Sequence, residues 1–168
     1  PSPNPNSHPH PNPNPYPNPH RPLSRTPKLW SQRYYVDARF WCGRGCPIFL
    51  YIGGEGPQGP TSPSLFMWTL AKRHRALMLA LEHRFYGQSH PTANMSAANL
   101  VHLDAEQALA DAAQFIWWWS EQHSAHNSSW ISWGGSYAGQ LAAWMRLRYP
   151  TSVAGAVAFS APFLPVIL

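Results

Sequence analysis

From residue 30 onward the chain alternates short apolar runs with longer segments whose apolar residues return every three or four positions. Residues 32–36 (QRYYV) are aromatic and β-branched and predict a strand; residues 47–52 (PIFLYI) are a continuous apolar run, as in strands covered on both faces. Residues 64–74 place Leu65, Trp68, Leu70 and Ala71 at helical spacing, and residues 76–81 (ALMLAL) are a second buried strand. A long helix is predicted over 104–122, capped by Asp104, with Ala108, Leu109, Ala112, Phe115 and Ile116 near one face. Trp117, Trp118 and Trp119 are consecutive and cannot all share that face. Residues 130–133 (WISW) predict a strand, and a helix starts near Tyr137 with Leu141, Trp144, Met145 and Arg148 at helical spacing. The last strand is 153–160 (VAGAVAFS), ended by Ala161 and Pro162. Strands alternating with helices in this way give an α/β fold, a parallel sheet wrapped by helices.

The chemistry concentrates at 134–139, GGSYAG, between the WISW strand and the helix after it. A serine on a sharp strand-to-helix turn is held in strained backbone, its hydroxyl lifted above the sheet edge, and side chains beside it must be nearly absent. Gly134, Ala138 and Gly139 supply that clearance. The free N–H groups and positive dipole end of the helix face the serine oxygen, where negative charge would develop. The arrangement is a nucleophile elbow with Ser136 as nucleophile, although Ala138 stands where the usual G-x-S-x-G pattern has its second glycine. A plain strand–helix turn with a surface serine is the competing reading; the strand and helix on the correct sides favour the elbow.

In this architecture one oxyanion N–H comes from the residue after the nucleophile and the other from the loop after the strand preceding the first helix. Those donors are Tyr137 and the loop Gly53-Gly54-Glu55-Gly56, where Gly54 and Glu55 are the candidates. Directly after the ALMLAL strand, Glu82, His83 and Arg84 open a segment dense in ionisable groups. The usual order is serine, acid, histidine, so His83, which precedes Ser136, is not the base. The three residues are expected to form an ion-pair and hydrogen-bond cluster that supports the site floor.

Composition narrows the setting. Residues 1–22 alternate proline with asparagine, histidine and serine, so residues 1–28 are expected to be a disordered or polyproline-like arm, solvated rather than bound to a proline-recognising domain. His8 and His10 in it carry little weight as metal ligands. The net charge of +5 reflects few acids, with 11% of residues charged and no Lys/Arg block, so a nucleic-acid face is not expected. No apolar run is long enough to span a bilayer. Cys42 and Cys46, with no second pair, are poor zinc ligands and preferred as a disulfide closing a small loop. The sequons at Asn94 and Asn127 are candidate glycosylation sites and, with the disulfide, favour a secretory or lysosomal setting over the cytosol. No metal or cofactor is expected.

Residues 32–36, 47–56 (PIFLYIGGEG), 82–87 (EHRFYG), 106–111 (EQALAD) and 134–144 (GGSYAGQLAAW) together resemble the serine peptidases comprising lysosomal prolyl carboxypeptidase, dipeptidyl peptidase II and thymus-specific serine peptidase. The Gly-Gly-Glu-Gly loop is most similar to the thymus-specific branch, and the family's own elbow pattern accounts for Ala138. The resemblance covers roughly residues 29–162. It implies an α/β-hydrolase-type, mostly parallel sheet, Ser136 as acyl-enzyme nucleophile, and a peptide substrate cut near a terminus, in several members after proline. Family members carry their aspartate and histidine far beyond the elbow, after an inserted helical domain. Residues 29–168 are then expected to be the N-terminal, nucleophile-bearing portion of the catalytic domain, an incomplete sheet inactive alone. Two rivals remain: a non-catalytic short form that binds peptides or a partner, and an esterase or lipase on the same fold, since an elbow alone does not choose between amide and ester.

Overall fold

The computed structural model describes residues 10–11 and 30–162. Two short strands, β1 (His10–Pro11) and β2 (Ser31–Gln32), pair antiparallel. The rest of the proline-rich arm, His8 included, lies outside the described residues. The main elements then run β3 (Tyr34–Asp37), β4 (Ile48–Ile52), α1 (Phe66–His74), β5 (Leu77–Leu81), α2 (Ala97–Leu100), α3 (Ala105–His123), β6 (Trp130–Gly135), α4 (Tyr137–Arg148) and β7 (Gly155–Phe159).

Five strands form one sheet in the order β3-β5-β4-β6-β7. The pairs β5–β4, β4–β6 and β6–β7 are parallel, and β3 is antiparallel to β5. The first strand is therefore an exception to the parallel pattern, an antiparallel edge such as mostly parallel sheets often carry. The strand expected over 32–36 is interrupted at Arg33. Its N–H is taken by the Ser89 hydroxyl (2.9 Å), and its carbonyl receives the Glu82 N–H (2.9 Å).

The period-2 alternation of strand side chains divides the core. Ile48, Leu50, Ile52, Leu77, Leu79, Leu81 and Trp130 pack on one face with Leu109, Phe115 and Ile116 of α3 and Leu141 and Met145 of α4. Phe49, Met78 and Trp133 pack on the other with Met67 and Ala71 of α1. The second face is thinner: a cavity of about 250 Å³ opens between α1 and the strands, lined in part by Tyr51, Met67, Trp133 and Val157. The tryptophan run splays as its spacing requires, with Trp117 55% exposed and Trp119 3%. The Asp104 carboxylate caps α3 by accepting the Gln107 N–H (2.9 Å). Helix α1 begins two residues later than its pattern suggests, after turns at Ser62 and Leu65. The single turn α2, in a polar segment with no apolar period, is not foreshadowed in the sequence. Cys42 and Cys46 are disulfide-bonded with Cα atoms 6.0 Å apart, an ordinary span for such a bridge. Among the described residues no helix is long and apolar enough to cross a membrane.

Strand β6 continues through Gly134 and Gly135, which pair with Ala158 and Phe159 of β7, so the turn is confined to Ser136. The chain reverses so tightly there that a Cβ on Gly134 would overlap the Ala138 carbonyl, and one on Gly135 would overlap the Phe159 ring. Gly134→Ala has no flexible side chain to push aside, and in the full-length protein it is expected to cost about 3 kcal/mol or more. A urea unfolding midpoint unchanged from wild type would contradict that close approach.

Candidate active site

Ser136 follows the interior strand β6 and precedes α4, with φ 56° and ψ −130°. A non-glycine residue in that region stores strain of order 1–3 kcal/mol. The surroundings over-determine it. The Ser136 N–H donates to the Phe159 carbonyl (3.0 Å), and the Ser136 carbonyl accepts from Gly139 (2.9 Å) and Gln140 (3.2 Å). The Ser132 hydroxyl, buried in β6, donates to the Ala142 carbonyl (2.8 Å) and pins α4 to the strand. The Ser136 side chain is exposed, and among the described residues nothing hydrogen-bonds its hydroxyl. Tyr137, first residue of α4, has a backbone N–H with no intrahelical acceptor.

The loop after β4 is brought against this turn by its glycines. Gly53 donates to the Leu81 carbonyl (2.8 Å), so close to the end of β5 that a Cβ there would lie 2.9 Å from the His83 nitrogen. A Cβ on Gly54 would lie 3.5 Å from the Ala138 methyl, so the loop touches the first turn of α4. Glu55, next along, is exposed.

Glu82, His83 and Arg84 follow β5 and are 0%, 3% and 3% exposed. Buried polar groups of this kind need partners, and each residue finds a different set. The Glu82 carboxylate accepts from the Gln58 N–H (3.1 Å), the Gln88 N–H (2.9 Å) and the Ser89 hydroxyl (2.6 Å), tying the loop after β4 to the loop after β5. Gly87, at φ 58°, must be glycine, because any Cβ there would overlap that carboxylate. Arg84 makes a two-pronged ion pair with Asp111 of α3 (2.7 and 2.6 Å). It also donates to the His102 carbonyl (2.9 Å) and to the Gln107 side chain.

The His83 Nδ1 lies 2.7 Å from the Arg84 carbonyl, and its Nε2 lies 3.2 Å from the Tyr137 hydroxyl. Burial is the main cause pushing the His83 pKa down. The Arg84 carbonyl, Asp111 and Glu55 oppose it, and the Arg84 charge adds to it. The Tyr137 hydroxyl is pushed up to about 12, first by burial and then by Tyr86, Glu55 and Asp104.

The structure thus brings Ser136, Tyr137, Gly54 and the 82–84 cluster to the carboxyl ends of β4, β5 and β6. Asn94 and Asn127 are both exposed. Asn127 precedes β6 at the opposite rim, and Asn94 follows the β5 loop. Among the described residues no three His, Cys, Asp or Glu side chains are grouped as a metal ion would require. Sequence reasoning did not assign Asp111, Ser89 or the Phe159 carbonyl. Asp111 carried a signal, since a carboxylate between Ala108 and Ala112 on the apolar stripe of α3 is a buried charge in need of a cation.

The family model described as serine carboxypeptidase S28 matches residues 24–167. The human thymus-specific serine protease is 44% identical over 142 residues, covering 81% of this chain and 27% of the relative. The human lysosomal Pro-X carboxypeptidase is 41% identical over 147 residues, covering 82% and 29%. The chain therefore spans little more than a quarter of the length of these relatives. Among solved structures, a post-proline cleaving enzyme from Rickettsia typhi superposes with a TM-score of 0.55 at 14% identity, over 78% of this chain and 19% of that one. An E-2-(acetamidomethylene)succinate hydrolase does so at 0.54 and 17%, over 83% and 43%. These likenesses show the fold, which is of the α/β-hydrolase type.

Two outcomes follow from the cluster. Asp111→Asn leaves the Arg84 guanidinium buried against a neutral partner and is expected to destabilise the full-length protein by about 3–5 kcal/mol, read from chemical denaturation. Because the His83 pKa is lowered on folding from its ordinary 6.5, the unfolded chain binds more protons just below that pH. Stability is therefore complete above about pH 6.5 and falls as pH drops toward the folded-state pKa. The stability of wild type relative to His83→Gln should be constant above about pH 6.5 and fall as pH drops below it; a constant difference across the range would refute the assignment.

Proposed function

The chain belongs to the serine carboxypeptidase S28 family, and from that premise we propose that the protein is a serine-type exopeptidase working through an acyl-enzyme on Ser136. The observation that carries the reading is the exposed Ser136 at φ 56° and ψ −130°, heading α4 at the carboxyl end of the interior strand β6. In the reaction the Ser136 Oγ attacks the peptide carbonyl carbon and its proton passes to a general base. The oxyanion is received by the N–H of Tyr137 and by Gly54 or Glu55. The C–N bond breaks, the amine leaves with the proton, and water then hydrolyses the ester.

His83 is not that base. Both its ring nitrogens are engaged, and among the described residues nothing hydrogen-bonds the Ser136 hydroxyl; the proposal therefore assigns neither the base nor the acid to a described residue. Supporting an exopeptidase that cuts after proline is the kinship to a relative named as a Pro-X carboxypeptidase. A lysosomal or secretory setting is supported by the same relative, by the Cys42–Cys46 disulfide, and by the exposed sequons at Asn94 and Asn127.

A fluorophosphonate probe is expected to label Ser136 in the full-length protein, and Ser136→Ala to abolish labelling and lower kcat by roughly 10⁶-fold. Labelling that survives Ser136→Ala, or turnover of acyl esters with none of Xaa-Pro peptides, would overturn the corresponding part of the proposal.

A further inference from the structure

We propose that His83 is a positioning residue for the reaction, holding the first turn of α4, and with it the Tyr137 N–H, by accepting a hydrogen bond from the Tyr137 hydroxyl. This rests on reading Ser136 as nucleophile and Tyr137 as oxyanion donor.

The hydrogen-bond roles follow from valence. The Arg84 carbonyl can only accept, so Nδ1 at 2.7 Å carries the proton. In a neutral ring Nε2 is then a bare acceptor, and the Tyr137 hydroxyl at 3.2 Å is its donor. The surroundings keep both groups in those states. The ring is 3% exposed. It faces Tyr137 of α4, Tyr86 of its own loop, Asp111 of α3, Glu55 of the loop after β4 and the adjoining Arg84. Burial disfavours imidazolium, and the raised pKa of Tyr137 keeps its hydroxyl protonated.

The tether matters because of where Tyr137 sits. It follows a strained residue and opens a helix with no side-chain cap hydrogen bond. The N–H aimed at the reacting carbonyl is fixed by the rotation of that first peptide unit. Ser132 holds α4 to the sheet one and a half turns further on, at Ala142, and Ser136 is held through Phe159. Between those anchors the Tyr137 side chain links the donor residue itself to the end of β5. The carbonyl that sets the His83 tautomer belongs to Arg84, which Asp111 locks to α3. His83 touches no reacting atom and acts through Tyr137.

The test uses the full-length protein and four variants: Tyr137→Phe, His83→Phe, the double variant and His83→Gln. It reads the second-order rate of fluorophosphonate labelling and the separate kcat and KM for a peptide substrate. Each single phenylalanine variant is expected to slow labelling by about 10- to 100-fold, a fraction of what losing an oxyanion donor outright costs. The loss should fall in kcat, with KM within about twofold. The double variant should be no slower than the slower single, since both remove one interaction. His83→Gln, which retains an acceptor, should recover most of the rate. Tyr137→Phe deletes one hydroxyl and keeps the test decisive if His83→Phe fails to fold. Wild-type rates in Tyr137→Phe, multiplying losses in the double variant, or a change in KM alone would overturn the proposal. A wild type unreactive to the probe overturns the nucleophile reading and this one with it; a reactive wild type with unaffected variants overturns this one only.

Discussion

The backbone at Ser136 is the constraint from which the other arrangements follow. A serine at φ 56° and ψ −130° persists only where neighbouring structure opposes relaxation. Here the opposition comes from hydrogen bonds on each side: β6 is laddered to β4 and β7, the Ser136 N–H is bound to Phe159, and Ser132 ties the strand to α4. The small residues are a consequence of the same geometry. With strand and helix converging on one residue, the atoms of Gly134 and Ala138 come too close for a side chain on the first.

The segments around this turn are joined in large part through side chains. The tripeptide after β5 supplies the links. Glu82 gathers the loop after β4 and the 88–89 turn, His83 reaches the elbow helix, and Arg84 fixes α3. Consecutive residues can serve three directions because the chain leaves the strand there and no longer follows its two-sided alternation. Burial makes the cluster selective as well as stabilising. In a low-dielectric setting an unpartnered carboxylate or guanidinium is costly, so competing arrangements of these loops are penalised.

Much of this was legible in the sequence where the signal is local. The strands at 47–52 and 76–81 and the helix capped by Asp104 follow from apolar runs, period and capping chemistry, and the tight strand-to-helix turn at Ser136 from glycine placement. Long-range pairing left no local trace. Nothing in residues 32–36 says that they run antiparallel to β5, or that Ser89, more than 50 residues away, takes the Arg33 N–H and splits the strand. The ionic density of 82–84 marked those residues as support, yet not which partner each would take. Gly87 is intelligible only once the Glu82 carboxylate is seen to occupy the space of its missing side chain. The short helix α2 lies in a segment without apolar period, where helical and turn conformations are nearly balanced.

In the proposed reaction, holding the nucleophile and activating it are separable tasks, and the contacts around Ser136 bear on the first. Preorganised N–H groups and a raised hydroxyl lower the barrier to acyl transfer only when a base removes the serine proton, since a neutral hydroxyl is a weak nucleophile. The nearby histidine is already engaged at both nitrogens: with its Nδ1–H donated to the Arg84 carbonyl, its Nε2 accepts from the Tyr137 hydroxyl. Releasing either nitrogen to serve as a base would loosen Tyr137, the proposed oxyanion donor. A buried neutral imidazole is well suited to a fixed hydrogen-bond role and poorly suited to cycling through the charged state that general-base catalysis requires. The same burial that makes His83 a good anchor sets it against taking up a proton.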